Sequence, residues 1–469
     1  MAALEECGNL KHEHIAFKEK CMKPFKLSFL AMTVLMSLDT SVLAAGLMED
    51  AKFDVMNRNF YFYRDFREGA YNTAGANTQV SIPEKEGYRS EWAQGIVAQF
   101  QSGFTDTPLQ VGFNLHAMGA LKLYSNPYKT GTNILEFNGA TGDTKETNGE
   151  FGGALKFKYQ DTTVTYGDQF PNTPVIAVST VRLLPSTAIG ISVQDKTFDN
   201  LIINAAHFYR MNPVDTTENL NYFTTDYATT GINANSISYL GGVYKHNDVT
   251  YTAYASELED VWNQYYLGAS TTLKLPQEGH AIKLATSNYY NTETGDQKFG
   301  SIDALALSAM VGYQYHHHTF SIGYQQIIGD DPFDWVGFKT LGSNISILNL
   351  AQFSTFSESK EKSLQFKYDV DLSKLGLNGF SFMGRYLYGW DIDKTKSNPI
   401  YLIGAEKTNG GNVDYTHWER DLTLGYKVPD GFAKGLDIKL RQATHRASKG
   451  YRYNDIDELR VIIEYPLSF

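Results

Sequence analysis

Basic side chains recur at alternate positions in several segments of the sequence, most of them in the C-terminal third. Around them, apolar or aromatic residues occupy the other positions, and a β-strand turns successive side chains to opposite faces. If the apolar face meets lipid, the basic face lines a lumen, where rows of cations lower the electrostatic barrier for an anion. The residues placed in this way are Lys156, Lys158, Lys367, Arg385, Lys439, Arg441 and Arg460.

Carboxylates close to these cations allow a second interpretation. Asp369, Asp371 and Glu464 lie on the same face as the neighbouring cations, and the two kinds of charge could simply pair in a wet lumen. Charges more than about 8 Å apart are screened at physiological salt. Selection of anions therefore requires a narrow passage, and spacing alone leaves both interpretations open.

Catalytic and metal-binding motifs are weak in this sequence. His316, His317 and His318 form the most conspicuous histidine run, but in a strand only two of them share a face, which is too few for a structural metal site. A polar turn is the preferred interpretation. No Gly-x-Ser-x-Gly segment and no serine–histidine pairing indicates a hydrolase. We therefore predict no catalytic residue, no metal site and no cofactor.

The C-terminal segment shows most clearly which elements would carry these side chains. Every odd-numbered residue from Leu459 to Phe469 is apolar or aromatic, whereas Glu458, Arg460 and Glu464 lie between them. A soluble sheet with one buried face gives the same alternation. An unbroken apolar stripe that stops on a terminal phenylalanine, however, is typical of the strand by which outer-membrane barrels are assembled.

Similar alternation recurs along the chain, with turn residues between the segments. Backbone groups in lipid must all be paired, so strands that cross a membrane have to close into a barrel. At roughly 24 residues per strand and connection, the chain supplies about 18 strands. Barrels of this size leave a water-filled channel. The predicted fold is an all-β transmembrane antiparallel barrel.

One segment breaks the alternation and predicts a constriction. Residues 167–187 follow a strand and contain three prolines, Pro171, Pro174 and Pro185, together with an apolar run from Val175 to Val178. Such a composition does not suit a solvated hairpin turn. We expect this segment to fold into the barrel as a loop that narrows the lumen.

The N-terminal region predicts export. Lys23 and Lys26 precede an apolar run from Leu27 to Leu38, which has the length of a secretory signal and is too short for a membrane anchor. We predict a signal peptide at 22–44, a mis-assigned upstream start at 1–21, and a single barrel at 45–469. Cys7 and Cys21 both precede the predicted cleavage, so the mature chain would contain no disulfide.

Six segments spread in order over the predicted mature chain carry a family resemblance. They are Asn57–Arg67, Tyr166–Gln169 with Arg182–Pro185, Phe382–Tyr386, Trp418–Leu422, Leu440–Thr444 and Asp455–Pro466. In these segments the sequence resembles the OprD (Occ) family of outer-membrane carboxylate channels. The resemblance implies an 18-stranded barrel, an inward-folded third loop and a ladder of basic residues that guides substrate carboxylates.

The resemblance also implies which residues form the site. At matching positions, the basic ladder would consist of Arg58, Arg67, Arg182, Lys367, Arg385, Lys439 and Arg441, with Arg182 at the constriction. The family places an acidic, tyrosine-rich patch opposite, for which Asp168 and Asp303 are the nearest matches. Lys439 stands where the family commonly has arginine, which keeps the charge but loses the bidentate geometry.

The sequence as a whole thus predicts an outer-membrane channel for passive diffusion of small carboxylate solutes, either amino acids or aromatic acids. A general porin without solute preference and, further off, a barrel hydrolase are the alternatives. Expected partners are the solutes, outer-membrane lipid, and the barrel assembly machinery acting on the strand that ends at Phe469. The net charge of −11 argues against nucleic acid as a partner. A monomer and a loose trimer both stay open.

Overall fold

The computed structural model describes residues 42–228, 231–403, 406–409, 411 and 413–469. The predicted upstream start and residues 22–41 of the predicted signal peptide lie outside these ranges. Both therefore stay predictions. A helix, α1, runs over Val42–Glu49 and places Leu47 against the turn at 102–109, where the Leu47 carbonyl accepts a hydrogen bond from the Gly103 amide (2.8 Å).

Eighteen long strands make up most of the described chain. The first nine are β1 Lys52–Phe66, β2 Tyr88–Gln101, β3 Gln110–Tyr124, β4 Thr147–Tyr159, β5 Thr162–Gln169, β6 Thr187–Asp195, β7 Leu201–Asn212, β8 Ile237–His246 and β9 Val249–Leu258. The second nine are β10 Trp262–Lys274, β11 His280–Glu293, β12 Asp303–Tyr315, β13 His318–Gly329, β14 Lys362–Asp371, β15 Phe380–Asp393, β16 Val413–Lys427, β17 Asp437–Ala447 and β18 Ile456–Ser468.

Short elements occupy the connections. Two-residue strands pair as Phe137–Asn138 with Asp143–Thr144, and as Thr224–Thr225 with Val336–Gly337. Single helical turns lie at Gly75–Thr78, Ile82–Glu84, Leu372–Leu375, Pro399–Tyr401 and Glu406–Asn409. None of the helices in the described part of the chain is long and apolar enough to cross a membrane.

Each long strand pairs antiparallel with its neighbour in sequence, and the first strand pairs with the last. The 18-stranded sheet therefore closes into a barrel, which confirms the predicted fold. At the seam, Arg58 stands opposite Glu464. Phe53 and Phe469 exchange backbone hydrogen bonds of 3.3 and 2.9 Å, so the last residue completes the closure.

The two ends of the barrel differ in the length of their connections. At one end the strands are joined by turns, such as 160–161, 247–248 and 316–317, whereas the other end carries loops such as 170–186 and 330–361. Short turns face the periplasm in outer-membrane barrels, and longer loops face outward. The histidine run lies at the periplasmic end, because His316 and His317 form the turn between β12 and β13 and His316 has a φ of 51°.

Side-chain exposure follows the predicted alternation. Leu440 and Leu422 are exposed on the outer surface, while Arg460 and Glu458 are buried on the inner one. Exposed aromatic residues gather at both ends of the outer face, as in the interfacial girdles of membrane barrels. They include Tyr159, Tyr315, Phe320 and Phe469 at the periplasmic end, and Trp92, Tyr265, Tyr290 and Tyr388 at the outer end.

Candidate functional site

The loop between β5 and β6, residues 170–186, folds into the barrel and is called loop L3 below. Its apolar residues Val175, Ile176, Leu183 and Leu184 are buried. Gly95 on β2 makes room for it, because a Cβ at this position would stand only 2.8 Å from the Leu183 side chain. The inward segment that the prolines and the apolar run predicted therefore lies against the inner wall.

A second loop, which the sequence analysis did not identify, meets L3 inside the barrel. This loop, L7, comprises residues 330–361 between β13 and β14. The Ala177 amide donates to the Ser343 hydroxyl (2.7 Å), and the Asn344 side-chain amide donates to the Val178 carbonyl (2.8 Å). Tyr289 of β11 links the two loops, since its hydroxyl donates to L3 and accepts from L7. Together the loops narrow the lumen.

Carboxylates on the inner wall hold L7 in place. The backbone amides of Phe353 and Ser354 each donate to Glu419 at 2.7 Å. The backbone amide of Gln352 donates to Asp421 at 3.0 Å. Both carboxylates are buried on β16. Both side chains thus position the loop, and Asp421 in addition pairs with Arg385.

The basic residues of β1, β15, β17 and β18 form a basic face on the inner wall, on both sides of β16. Most are paired with a carboxylate. Arg58 contacts Glu464 at 2.6 Å, Arg64 contacts Glu458 at 2.6 Å, and Arg385 contacts Asp421 at 2.7 Å; Lys439 lies 3.0 Å from Asp437 and 3.1 Å from Glu464. An arginine has five N–H donors, so one carboxylate partner does not satisfy all of them.

Backbone carbonyls of the two loops also contact this basic face. Arg58 donates to the Arg182 carbonyl of L3 at 2.5 Å, and Arg385 donates to the Leu350 carbonyl of L7 at 2.5 Å. Arg460 reaches the Gln352 carbonyl at 3.2 Å. The loops and the basic face therefore form one hydrogen-bonded unit.

Arg441 differs from its neighbours. It is half-buried, it stands opposite Arg460 in the register of β17 and β18, and it makes no side-chain hydrogen bond or ion pair with any residue that the structure describes. The charges of Arg460, Arg385, Asp421 and Glu458 all act on it. Like charges directly opposite one another in a sheet are unfavourable. Within the described residues, Arg441 is therefore a cation without a neutralising partner beside a second arginine.

Phe62 supports the cations at this level. Its ring is fully buried, and the guanidinium carbons of Arg64, Arg182 and Arg460 lie 5.2, 5.3 and 5.1 Å from its centroid. Cations at this distance are attracted by the ring face. One aromatic side chain therefore gathers three guanidinium groups.

The structure brings some of the predicted basic residues together and separates others. Arg58, Arg385, Lys439 and Arg441 lie on the basic face. Lys367 stands beside it, opposite Arg385 in the register, and pairs with Asp369 at 3.0 Å. Arg67 follows the outer end of β1 and pairs with Asp65 and Asp457. Arg182 lies in L3 but donates to the Thr132 carbonyl (2.8 Å), and burial together with the charge of Arg460 lowers the pKa of its guanidinium.

The two predicted acidic residues lie away from the basic face. Asp168 is buried on the inner wall near His116, at 3.5 Å. Asp303 is exposed at the outer end of β12, on the same side of the strand as the exposed Leu307. The structure therefore does not bring Asp303 to the constriction.

Arg64 was missed by the sequence analysis, although a signal for it was present. It has the same parity as Arg58, Phe60 and Phe62 on β1, so alternation alone would have placed it in the lumen. L7 had a weaker signal, namely an unusually long connection that contains few charged residues between Phe338 and Phe356.

Comparison with known proteins gives consistent matches over the barrel. The sequence model of the OprD family of outer membrane porins matches residues 45–469. Porin D of Pseudomonas aeruginosa is 34% identical over 433 residues, which cover 91% of this chain and 92% of that protein. The crystal structure of P. aeruginosa OccK9 (OpdG) is similar with a TM-score of 0.79 and 26% identity, over 90% of this chain and 100% of the other. The crystal structure of P. aeruginosa OprD is similar with a TM-score of 0.73 and 30% identity, over 90% of this chain and 97% of the other.

Proposed function

The chain belongs to the OprD family of outer membrane porins, and we propose that it admits small carboxylate solutes along the basic face described above. Membership identifies it as a channel of the bacterial outer membrane and not an enzyme. The further step, from porin to carboxylate channel, rests on the arrangement of charges in the lumen.

The observation that carries the proposal is the Arg441–Arg460 pair. The two arginines stand opposite each other in the register of β17 and β18, and the first has no carboxylate partner in the described chain. A carboxylate accepts paired N–H donors from arginine with good geometry. A solute carboxylate at this point would relieve the repulsion between two cations, which a neutral solute cannot do.

The strand register orders the cations along a path through the barrel. Arg64 lies near the outer end of β1, Arg460 is one level deeper opposite Phe62, and Arg58 stands opposite Glu464 nearer the periplasm. On β17, Arg441 precedes Lys439 in the same direction. A carboxylate could therefore move from one cation to the next with short displacements.

Existing ion pairs keep the solute from binding too tightly. Arg58, Arg64 and Lys439 already contact Glu464 or Glu458, so a solute carboxylate competes with an internal partner for their donors. Conduction requires sites that attract a solute and still release it. The internal carboxylates would thus keep the binding of the solute at each cation weak and its release fast. Asp168 and Asp303 lie away from this face, so the proposal includes no second group that binds a cationic end of the solute.

A general porin remains the alternative function. It would share the barrel but would need a wide and electrically balanced lumen. L3 and L7 meet inside the barrel, and the described lumenal face of β17 and β18 concentrates arginine at one level. Both observations favour a channel that selects anionic solutes over a general porin.

The reversal potential across a planar bilayer under a KCl gradient tests the proposal. We expect the pore to prefer chloride, and Arg441→Gln to reduce that preference. Arg420→Gln is the matched control, because Arg420 is exposed on the outer face of β16 and its replacement changes the net charge by the same amount. A pore that shows no anion preference, or a preference unaffected by Arg441, would favour the general porin.

A further inference from the structure

Three adjacent strands bring a histidine and two carboxylates together inside the barrel, away from the basic face. His116 lies on β3, Glu150 on β4 and Asp168 on β5, and all three are buried. One ligand atom from each can be chosen so that the three lie within 4.8 Å of one another. The sequence did not show this group, because the residues are far apart in the chain.

The backbone is shaped to let these side chains converge. Gly152 of β4 lies beneath them, and a Cβ at this position would stand 2.3 Å from Asp168 Oδ2 and 2.5 Å from His116 Nε2. Gly167, next to Asp168, has a φ of 131° that favours glycine. Tyr166 is exposed and Asp168 buried, so the alternation of β5 is interrupted here and the carboxylate turns inward.

Two polar atoms of the group lack a partner. His116 Nε2 and Asp168 Oδ1 are buried and form no hydrogen bond with any described residue. The side chains are only 2% and 7% exposed, and the separation of His116 Nε2 from Asp168 Oδ2 is 3.5 Å. Buried polar atoms are almost always satisfied in folded proteins. The imidazole nitrogen and the carboxylate thus converge on a point that a ligand could occupy.

Glu150 is held in place by donors at the outer ends of β6 and β7. The Thr187 hydroxyl donates to Oε1 at 3.0 Å, and the Asn212 amide, oriented so that its nitrogen donates, reaches Oε2 at 3.1 Å. Outer contacts of this kind commonly orient the ligands of bound metal ions. No lysine or arginine within the described chain forms an ion pair with Glu150 or Asp168, so neither carboxyl group is already paired with such a side chain.

The chemistry of the donors narrows the choice of ion. Imidazole nitrogen suits zinc and its neighbours in the first transition row, whereas calcium and magnesium prefer oxygen alone. One histidine and two carboxylates leave a coordination position for water. That position is reachable, because His116 and Asp168 line a cavity of about 600 Å³ together with Asn114, Gln169 and Asn172.

We propose that His116, Glu150 and Asp168 bind one divalent transition-metal ion, with Zn²⁺ as the probe. Asp168 lies two residues before Phe170, whose ring packs edge-on against the His116 ring at 4.9 Å. The ion would therefore join β3, β4 and β5 at the point where L3 leaves the wall. This site is independent of the carboxylate path, and either proposal can fail alone.

Zn²⁺ titration of the purified barrel after EDTA treatment, followed with a competing chelator dye, tests the proposal. We expect one tight site per chain, weakened at least about tenfold in His116→Gln and in Asp168→Asn. His207→Gln is the control, since His207 is exposed and bonds only Ser238. The double variant His316→Gln/His318→Gln removes the exposed imidazole of the turn and the half-buried imidazole at the start of β13, both of which could bind Zn²⁺ weakly. The mobility of each unheated variant on a detergent gel checks that it is folded.

Three results would overturn the proposal. The first is a wild-type barrel without a Zn²⁺ site tighter than that of the turn residues. The second is equal binding by wild type and a folded His116→Gln or Asp168→Asn variant. The third is Ca²⁺ competing as well as Zn²⁺, which would mean that the imidazole is not a ligand.

Discussion

Arg441 of β17 stands directly opposite Arg460 of β18 on the lumenal face of the barrel. Arg460 is neutralised by Glu458 at 2.6 Å, whereas Arg441 has no such partner within the described residues. The repulsion that this arrangement leaves is a cost to folding, and a passing anion would relieve it. We expect Phe62, Gly95 and Glu419 to hold this region together and Arg441 to serve the solute.

Phe62→Leu tests whether one ring organises the arginine cluster. Its loss should lower the free energy of unfolding by about 1–2 kcal/mol more than Phe60→Leu, because Phe62 contacts three guanidinium groups. Phe60 is equally buried on the same face of β1, so its replacement removes similar apolar area. Urea unfolding in detergent gives both values, and equal losses would contradict a special role for Phe62.

Gly95→Ala should displace L3. The new Cβ would stand 2.8 Å from the Leu183 side chain, so the loop has to move and the single-channel conductance should change. Leu183→Ala in the same chain should restore the conductance by making room again. Gly119→Ala on β3 is the control, because nothing lies within 4 Å of a Cβ there. A Gly95→Ala pore with wild-type conductance would show that L3 does not limit the passage.

Glu419→Ala should release the middle of L7 from the wall. The variant leaves the Phe353 and Ser354 amides without their acceptor, and a buried donor that is left unsatisfied costs about 1–3 kcal/mol. We expect more frequent current fluctuations in single-channel records. Glu257→Ala, which removes an exposed carboxylate of β9, should leave the records unchanged. If the frequency of current fluctuations in Glu419→Ala equals that of wild type, other contacts fix L7.

The sequence predicted the barrel and its lumenal face because both depend on a local pattern. Leu440 and Arg441 alternate within one strand, and alternation assigns them to opposite faces whatever their neighbours are. Closure followed from the need to pair every backbone group in lipid. The inward path of L3 was also predictable, since prolines and an apolar run do not suit an exposed turn.

Contacts between side chains and segments far apart in the sequence could not be predicted in this way. L7 is fixed by backbone amides that meet Glu419 and Asp421, and such contacts leave no periodic trace in the sequence. Asp168 meets His116 and Glu150 because of an interruption at Gly167 that reverses the expected side of β5. Asp303 shows the limit of motif matching, since a short match locates the strand but not the direction of the side chain.

The most direct test compares the flux of benzoate with that of benzamide, which has nearly the same shape and no charge, into proteoliposomes containing the purified barrel. We predict that wild type admits benzoate faster, that Arg441→Gln reduces benzoate flux while benzamide flux is unchanged, and that Arg420→Gln behaves as wild type. Equal fluxes of the two solutes in wild type, or a folded Arg441→Gln barrel with undiminished benzoate flux, would contradict the account.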